Sequence, residues 1–155
     1  MSDLYQSNRK LVAIYRQQLQ QKIVSLHQAE QSSNNIDPQK FYLGFKNRAI
    51  ELVQKETALL QKECGKSDNC HLLLLKQTAL VDTLVQASFY SAVWYFNHQN
   101  NQEWTTQSVP IAIVARGGYG REEMYFRSDV DIEIVSESSV SESDKKTAEQ
   151  IIRHF

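Results

Sequence analysis

Between residue 4 and about residue 29, Leu4, Leu11, Tyr15, Leu19, Ile23 and Leu26 recur at steps of three and four, with Gln, Lys and Arg between them. That spacing predicts an amphipathic helix. The polar run Gln31-Ser32-Ser33-Asn34-Asn35 breaks it, and Asp37-Pro38 then offers a side-chain cap and a ring already at helical φ for a second start. Phe41, Phe45, Arg48/Ala49, Leu52/Val53 and Leu59/Leu60 carry the second helix to Gly65. A third helix is predicted from about residue 70 to residue 97, held in period by residues 72–75, Leu80, Leu84, Ala87 and the run from Tyr90 to Phe96. Its last third is apolar nearly all round, so a later part of the chain is expected to pack on it.

After a polar loop over residues 97–107 the pattern turns extended. Val109-Pro110 leads into Ile111–Ala115, a short apolar run bounded by Pro and Gly that predicts a buried strand. Gly117-Gly118-Tyr119-Gly120 follows, then a short polar segment, then Asp129-Val130-Asp131-Ile132-Glu133-Ile134-Val135, which alternates acidic and aliphatic residues. Period two predicts a strand with one apolar face and one face of carboxylates. A polar turn over residues 136–143 precedes a final amphipathic helix marked by Ala148, Ile151, Ile152 and Phe155. The fold class is therefore α+β: a helical region over residues 1–100 with three long helices, then the first part of a sheet, with a short helix between strands, over residues 101–155.

Length and composition narrow the class. A chain of 155 residues that is 41% hydrophobic suffices for one core. The balance of 17 basic against 18 acidic residues gives no electrostatic reason to expect a nucleic-acid binder, so any nucleotide handled here is expected to be a small molecule. The charge is uneven: residues 1–60 carry a net +3, residues 61–120 a net 0 and residues 121–155 a net −4. Cys64 and Cys70, the two cysteines, read as reduced thiols, and no apolar run approaches the roughly 18 residues that span a bilayer. Met1-Ser2-Asp3-Leu4 lacks a secretory pattern, and a cytoplasmic protein with no membrane partner is the simplest expectation.

The candidate chemistry lies between Ile111 and Val135. Alternation would place Asp129, Asp131 and Glu133 on one side of a strand, successive carboxylates roughly 7 Å apart at a rise of about 3.3 Å per residue. Oxygen-only, anionic, closely spaced ligands suit a hard divalent cation, magnesium where phosphates complete the shell. The alternative is an exposed edge strand whose acids block edge-to-edge pairing. Gly117, Gly118 and Gly120 would let backbone N–H groups approach a phosphate, or would simply supply a tight strand-to-helix connection. Turn, connector and carboxylate strand together describe a site for a metal-bound nucleoside triphosphate.

The run Gly117-Gly118-Tyr119-Gly120-Arg121-Glu122-Glu123-Met124-Tyr125-Phe126-Arg127-Ser128-Asp129-Val130-Asp131 resembles the signature of nucleotidyltransferases of the polymerase-beta superfamily, a Gly-Gly or Gly-Ser pair followed after about ten residues by Asp-hydrophobic-Asp. Its Gly-Gly-Tyr-Gly-Arg opening and Ser-Asp-hydrophobic-Asp close are similar to those of uridylyltransferases that modify the nitrogen-signalling protein PII and of nucleotidyltransferases sharing their catalytic domain. The resemblance implies that Asp129 and Asp131 are catalytic and hold two magnesium ions on the triphosphate, that Gly117 and Gly118 cradle phosphates, and that an acceptor hydroxyl attacks with release of pyrophosphate. For the uridylyltransferase-like branch it implies UTP as donor and a tyrosine of a small regulatory protein as acceptor. Arg121 would neutralise the triphosphate or pair with Glu122 or Glu123. Ser128 would bond a phosphate or cap the connector.

Several positions depart from that pattern. Arg116 replaces an apolar residue before the glycine pair, Glu122 a usual glycine, Tyr125-Phe126 a His-Pro-like pair, and Glu133 an aliphatic residue. Enzymes of this kind take a third carboxylate from a later strand, and none follows Val135; Glu133 sits one pleat along the same strand. The final helix would present Ile151, Ile152 and Phe155 with nothing after them to pack on. The expectation is thus an N-terminal fragment of a larger enzyme, inactive in isolation. Competing expectations are a non-catalytic nucleotide-sensing or protein-interaction module with an incomplete metal site, and a plain helical domain with a solvated acidic strand. His27, His71, His98 and His154 lack metal-ligand spacing, and Trp94 with Tyr90, Tyr95 and Phe96 reads as core.

Overall fold

The computed structural model describes residues 3–31, 37–66, 68–137 and 139–155. Three long helices, α1 (Asp3–Gln31), α2 (Pro38–Cys64) and α3 (Cys70–Asn100), pack on one another, with α3 touching both of the others. They are followed by β1 (Ile111–Ala115), the single-turn α4 (Gly117–Gly120), β2 (Ile132–Ser136) and α5 (Glu142–Ile152). The chain is α+β, mostly helical, with a two-stranded antiparallel sheet among the described residues.

The helix starts follow from their caps. Asp37 accepts from the amides of Gln39 and Lys40 at 2.9 and 3.3 Å, ahead of Pro38 at the first helical position. Asn69 accepts from Leu72 N at 3.2 Å and pairs its amide with the buried Asn8 of α1. Asn8 belongs to the packed stripe of α1, with Val12, Leu19 and Ile23. Leu4 and Leu11, expected in that stripe, are exposed instead. The helix is turned by about one residue because Asn8 and Val12, not Leu11, face the start of α3. Glu56 is buried on α2 and satisfied by Lys22 Nζ and, at 3.2 Å, by Tyr15 Oη.

The apolar end of α3 is covered as its pattern required. Ala92, Val93 and Phe96 cluster with Val109, Ala148 and Ile151, and Trp104, Ile111 and Phe155 pack around them. The last helix is therefore not left bare: Ile151 is fully buried, and Phe155 meets Phe89 edge to face with ring centroids 6.0 Å apart. Trp94 packs on Phe41 at 3.9 Å, a core role, whereas Tyr90 is exposed. His71, His98 and His154 stack on or abut aromatic rings. The side chain of His27 lies outside the described residues. Cys64 and Cys70 are free and exposed. Among the described residues no helix is long and apolar enough to cross a membrane.

The sheet departs from expectation in two respects. Ile111–Ala115 is not a buried strand: only Ile111 and Ile113 are partly covered, and Ala112, Val114 and Ala115 are exposed. The acidic strand begins at Ile132 and not at Asp129, because Ala115↔Ile132 is the last paired position before the partner chain turns into α4. Asp129 and Val130 thus have no ladder to join.

Candidate active site

Register fixes what faces what. Directly opposed residues of an antiparallel pair point to the same side, so Ala112 and Val114 share a face with Val135 and Glu133, and Ile111 and Ile113 share the other with Ser136 and Ile134. One further bond, Arg116 N donating to Asp131 O at 2.8 Å, continues the register past β1 and sets Asp131 beside the start of α4. Asp131 and Glu133 therefore lie on one face. Asp129 sits outside the strand on the exposed segment leading to it.

The glycines have separate duties. Gly117 is left-handed, at φ +53°, and a Cβ there would stand 2.5 Å from Asp131 Oδ2, so glycine is what lets the carboxylate lie against the turn. Gly120 passes so close to β1 that a Cβ would meet the Ala115 carbonyl oxygen at 2.7 Å. As the opening residues of a helical turn, Gly117 and Gly118 carry amides without an intrahelical acceptor.

The turn closes as a Schellman motif. Glu123 N donates to Gly118 O at 2.9 Å and Glu122 N to Tyr119 O at 3.1 Å, with Glu122 left-handed at φ +61°. This is the conformational reason a glycine would suit position 122; a side chain in this region costs about 1–2 kcal/mol. Here the glutamate is engaged by Arg9 of α1 through both nitrogens of its fork, Nη1 to Oε1 at 2.8 Å and Nη2 to Oε2. Hydrogen bonding to Arg9 holds the Glu122 carboxyl below its usual range. Tyr5 Oη accepts from Arg9 Nε and Nη2 at 3.0 and 2.8 Å, fixing the guanidinium.

A second tie runs through Tyr119, which is buried with Met124 against Val81 and Val85 of α3. Its hydroxyl donates to Asp82 Oδ1 at 2.8 Å, and Asp82 is paired with Arg16 of α1 at 2.7 Å. Burial, then the bond to Asp82, raises the Tyr119 phenol above its ordinary value. Met124 N donates to Thr78 Oγ1 at 3.4 Å. Arg9, Arg16, Asp82 and Thr78 were not singled out in the sequence; the available signal was a lone carboxylate, Asp82, inside an apolar helix, and two arginines seven residues apart on one helix side.

The remaining positions resolve as follows. Arg121 pairs with Glu123 at 2.9 Å and not with Glu122, and both side chains are more than half exposed. Ser128 caps the connector: its Oγ accepts from Tyr125 N, and its N donates to Tyr125 O, each at 3.2 Å. Arg116 pairs with Glu133, so two departures from the nucleotidyltransferase pattern are partners of one another. That pairing commits Glu133, whereas the carboxylates of Asp129 and Asp131 have no hydrogen-bond or ion-pair partner among the described residues. Two unpaired, exposed carboxylates, that of Asp131 lying against the glycine turn, fit a hard divalent cation in donor type. Among the described residues no group of three or more His, Cys, Asp or Glu side chains is gathered for a metal.

The strand, the glycine turn and the acidic return strand hold the residues on which the resemblance to nucleotidyltransferases rests. Over 111 residues, 68% of its length, the chain is 32% identical to the bifunctional uridylyltransferase/uridylyl-removing enzyme of Zymomonas mobilis subsp. mobilis. The match spans 11% of that enzyme, so the chain corresponds to about a tenth of its curated relative. No family model and no solved structure matches. The similarity links the chain to a nucleotidyltransferase as a distant relative.

Proposed function

We propose that the chain carries part of the active site of a magnesium-dependent nucleotidyltransferase that transfers a nucleoside monophosphate from a triphosphate to an acceptor hydroxyl, releasing pyrophosphate. UTP is the donor and a tyrosine of a PII-like regulatory protein the acceptor in the uridylyltransferase-like form of this reading. The observation that carries it is Asp131, whose unpaired carboxylate is held against Gly117 by the backbone bond to Arg116.

Asp129 and Asp131 would hold the magnesium ions, which when bound would neutralise charge on the triphosphate and polarise the α-phosphorus. The amides of Gly117 and Gly118 meet phosphate oxygens from the turn. Arg121 exchanges its exposed partner Glu123 for the triphosphate at little cost, since exposed ion pairs contribute about 0–1 kcal/mol. Ser128 caps the connector that leads into Asp129. The pairing of Glu133 with Arg116 leaves two carboxylates, and turnover needs a third from outside the described residues. The same observation favours a second reading, a nucleotide-sensing or interaction module that binds without transferring. The protein works in the cytoplasm in either case.

Thermal melting tests the binding step. With magnesium, UTP or ATP raises the melting temperature of the chain, and the double substitution Asp129→Ala/Asp131→Ala abolishes the rise. No shift with either nucleotide would refute a phosphate cradle. The 155-residue chain alone is expected to have little or no transferase activity; robust turnover by purified material would contradict the need for a further carboxylate.

A further inference from the structure

A mostly polar cleft of about 630 Å³ opens between the glycine turn and the helices. Gly118 and Ser128 line it on one side, Tyr5 and Arg9 of α1 and His71 of α3 on the other, and Tyr125 stands at its lip. Its volume falls within the range of small-ligand sites, about 300–1,000 Å³. Gly118 belongs at once to this cleft and to the turn proposed to hold phosphate, so a ligand anchored there by its phosphates has the cleft as its immediate neighbour.

The walls are flat and partly aromatic. Tyr5 and His71 stack with ring centroids 6.1 Å apart and planes 22° from parallel. The Arg9 guanidinium lies 5.2 Å from the Tyr5 ring centroid and is immobilised by Tyr5 Oη and Glu122. Tyr125 is 65% exposed although its neighbour Met124 is buried, so a large ring is left in water at the cleft mouth. Planar rings of this kind stack on a nucleobase whatever its identity.

We infer that the nucleoside half of the triphosphate occupies this cleft, with its base against Tyr125, so that helix α1 forms one wall of the substrate site. This rests on the reading of the glycine turn as a phosphate cradle. It makes the Arg9–Glu122 pair a positioning contact: it keeps the α1 wall at a set distance from the turn that holds the phosphates.

Isothermal titration calorimetry of the chain with magnesium and UTP, ATP or inorganic tripolyphosphate separates the two ideas. The wild type binds both nucleotides at least about tenfold tighter than tripolyphosphate. Tyr125→Ala removes that margin and leaves tripolyphosphate affinity unchanged, while Tyr125→Phe keeps the margin. Equal affinity of the wild type for nucleotides and tripolyphosphate, or a margin that survives Tyr125→Ala, overturns the nucleoside placement while the phosphate cradle stands. If tripolyphosphate and nucleotides both fail to bind, the cradle itself falls and the placement with it.

Discussion

The glycine turn and the acidic strand are neighbours in space and opposite in support. Residues 116–124 are driven into the helical layer: Tyr119 and Met124 are buried, and Arg9, Asp82 and Thr78 reach out from the helices to hold the backbone and side chains. Residues 128–136 lie on the surface, every one of them exposed, on a two-stranded sheet of a size that is marginal by itself. The phosphate-facing half of the proposed site is thus positioned by long-range contacts to the helices, and the metal-facing half is carried by one ladder, one backbone bond to Arg116 and the local, exposed Ser128–Tyr125 and Arg116–Glu133 contacts. A nucleotide would bind where fixed and loosely held parts meet, and the order it imposes should appear on the acidic side.

The sharpest way to break this contrast is to remove its buried anchor. Met124→Ala should cost about 2–5 kcal/mol in urea denaturation, as for a fully buried Met, whereas Ile134→Ala on the exposed sheet should cost under about 1 kcal/mol. Equal costs would mean that the turn is no better supported than the strand.

Glycine substitutions come next. Gly117→Ala should destabilise by about 1–2 kcal/mol from its left-handed backbone, and should weaken nucleotide binding further because the new Cβ displaces the Asp131 carboxylate. Gly120→Ala meets the Ala115 carbonyl oxygen and should also destabilise. At Gly118 a Cβ finds its nearest atom, Glu123 O, at 3.6 Å, so Gly118→Ala should be nearly neutral in thermal melts.

The Arg9–Glu122 pair is a smaller effect with a pH signature. Arg9→Ala should cost about 0.5–1 kcal/mol, because both side chains are partly exposed. Glu122→Gly loses the pair and relieves the left-handed backbone, so its net effect should be smaller. Since the Glu122 carboxyl is depressed in the fold, the pair stabilises above the ordinary carboxylate range near 4 and is lost as pH falls through the lower, folded value. The deficit of Arg9→Ala should therefore shrink in denaturation curves taken in acid. Asp129→Ala and Asp131→Ala, both exposed and unpaired, should change stability by less than about 0.5 kcal/mol.

The helices were legible in the sequence because a period of 3.6 is a local property and because Asp37-Pro38 marks a start by its own chemistry. The order of turn and acidic strand was legible for the same reason. What was hidden depends on partners far along the chain. The start of β2 is set by where β1 ends, not by the alternation that begins at Asp129. Asn8 of α1 and Glu56 of α2 are buried because Asn69, Lys22 and Tyr15 meet them, so a count of apolar positions misses both and, through Asn8, rotates α1 wrongly. At the site, the glycine pair and the two aspartates could be named from their spacing, while Arg9, Arg16 and Asp82 could not, since they contribute through contacts 37 to 113 residues apart.

The central claim is that Asp129 and Asp131 bind a divalent cation beside the Gly117–Gly118 turn. Titrating Mn²⁺ with a nucleoside triphosphate into the isotope-labelled chain and reading paramagnetic broadening of backbone amides tests it directly. Selective loss of the signals of Gly117, Gly118, Asp129 and Asp131 at substoichiometric Mn²⁺, absent in Asp129→Ala/Asp131→Ala, is the predicted result. Broadening centred on another cluster of acids, or unchanged in the double variant, would contradict it.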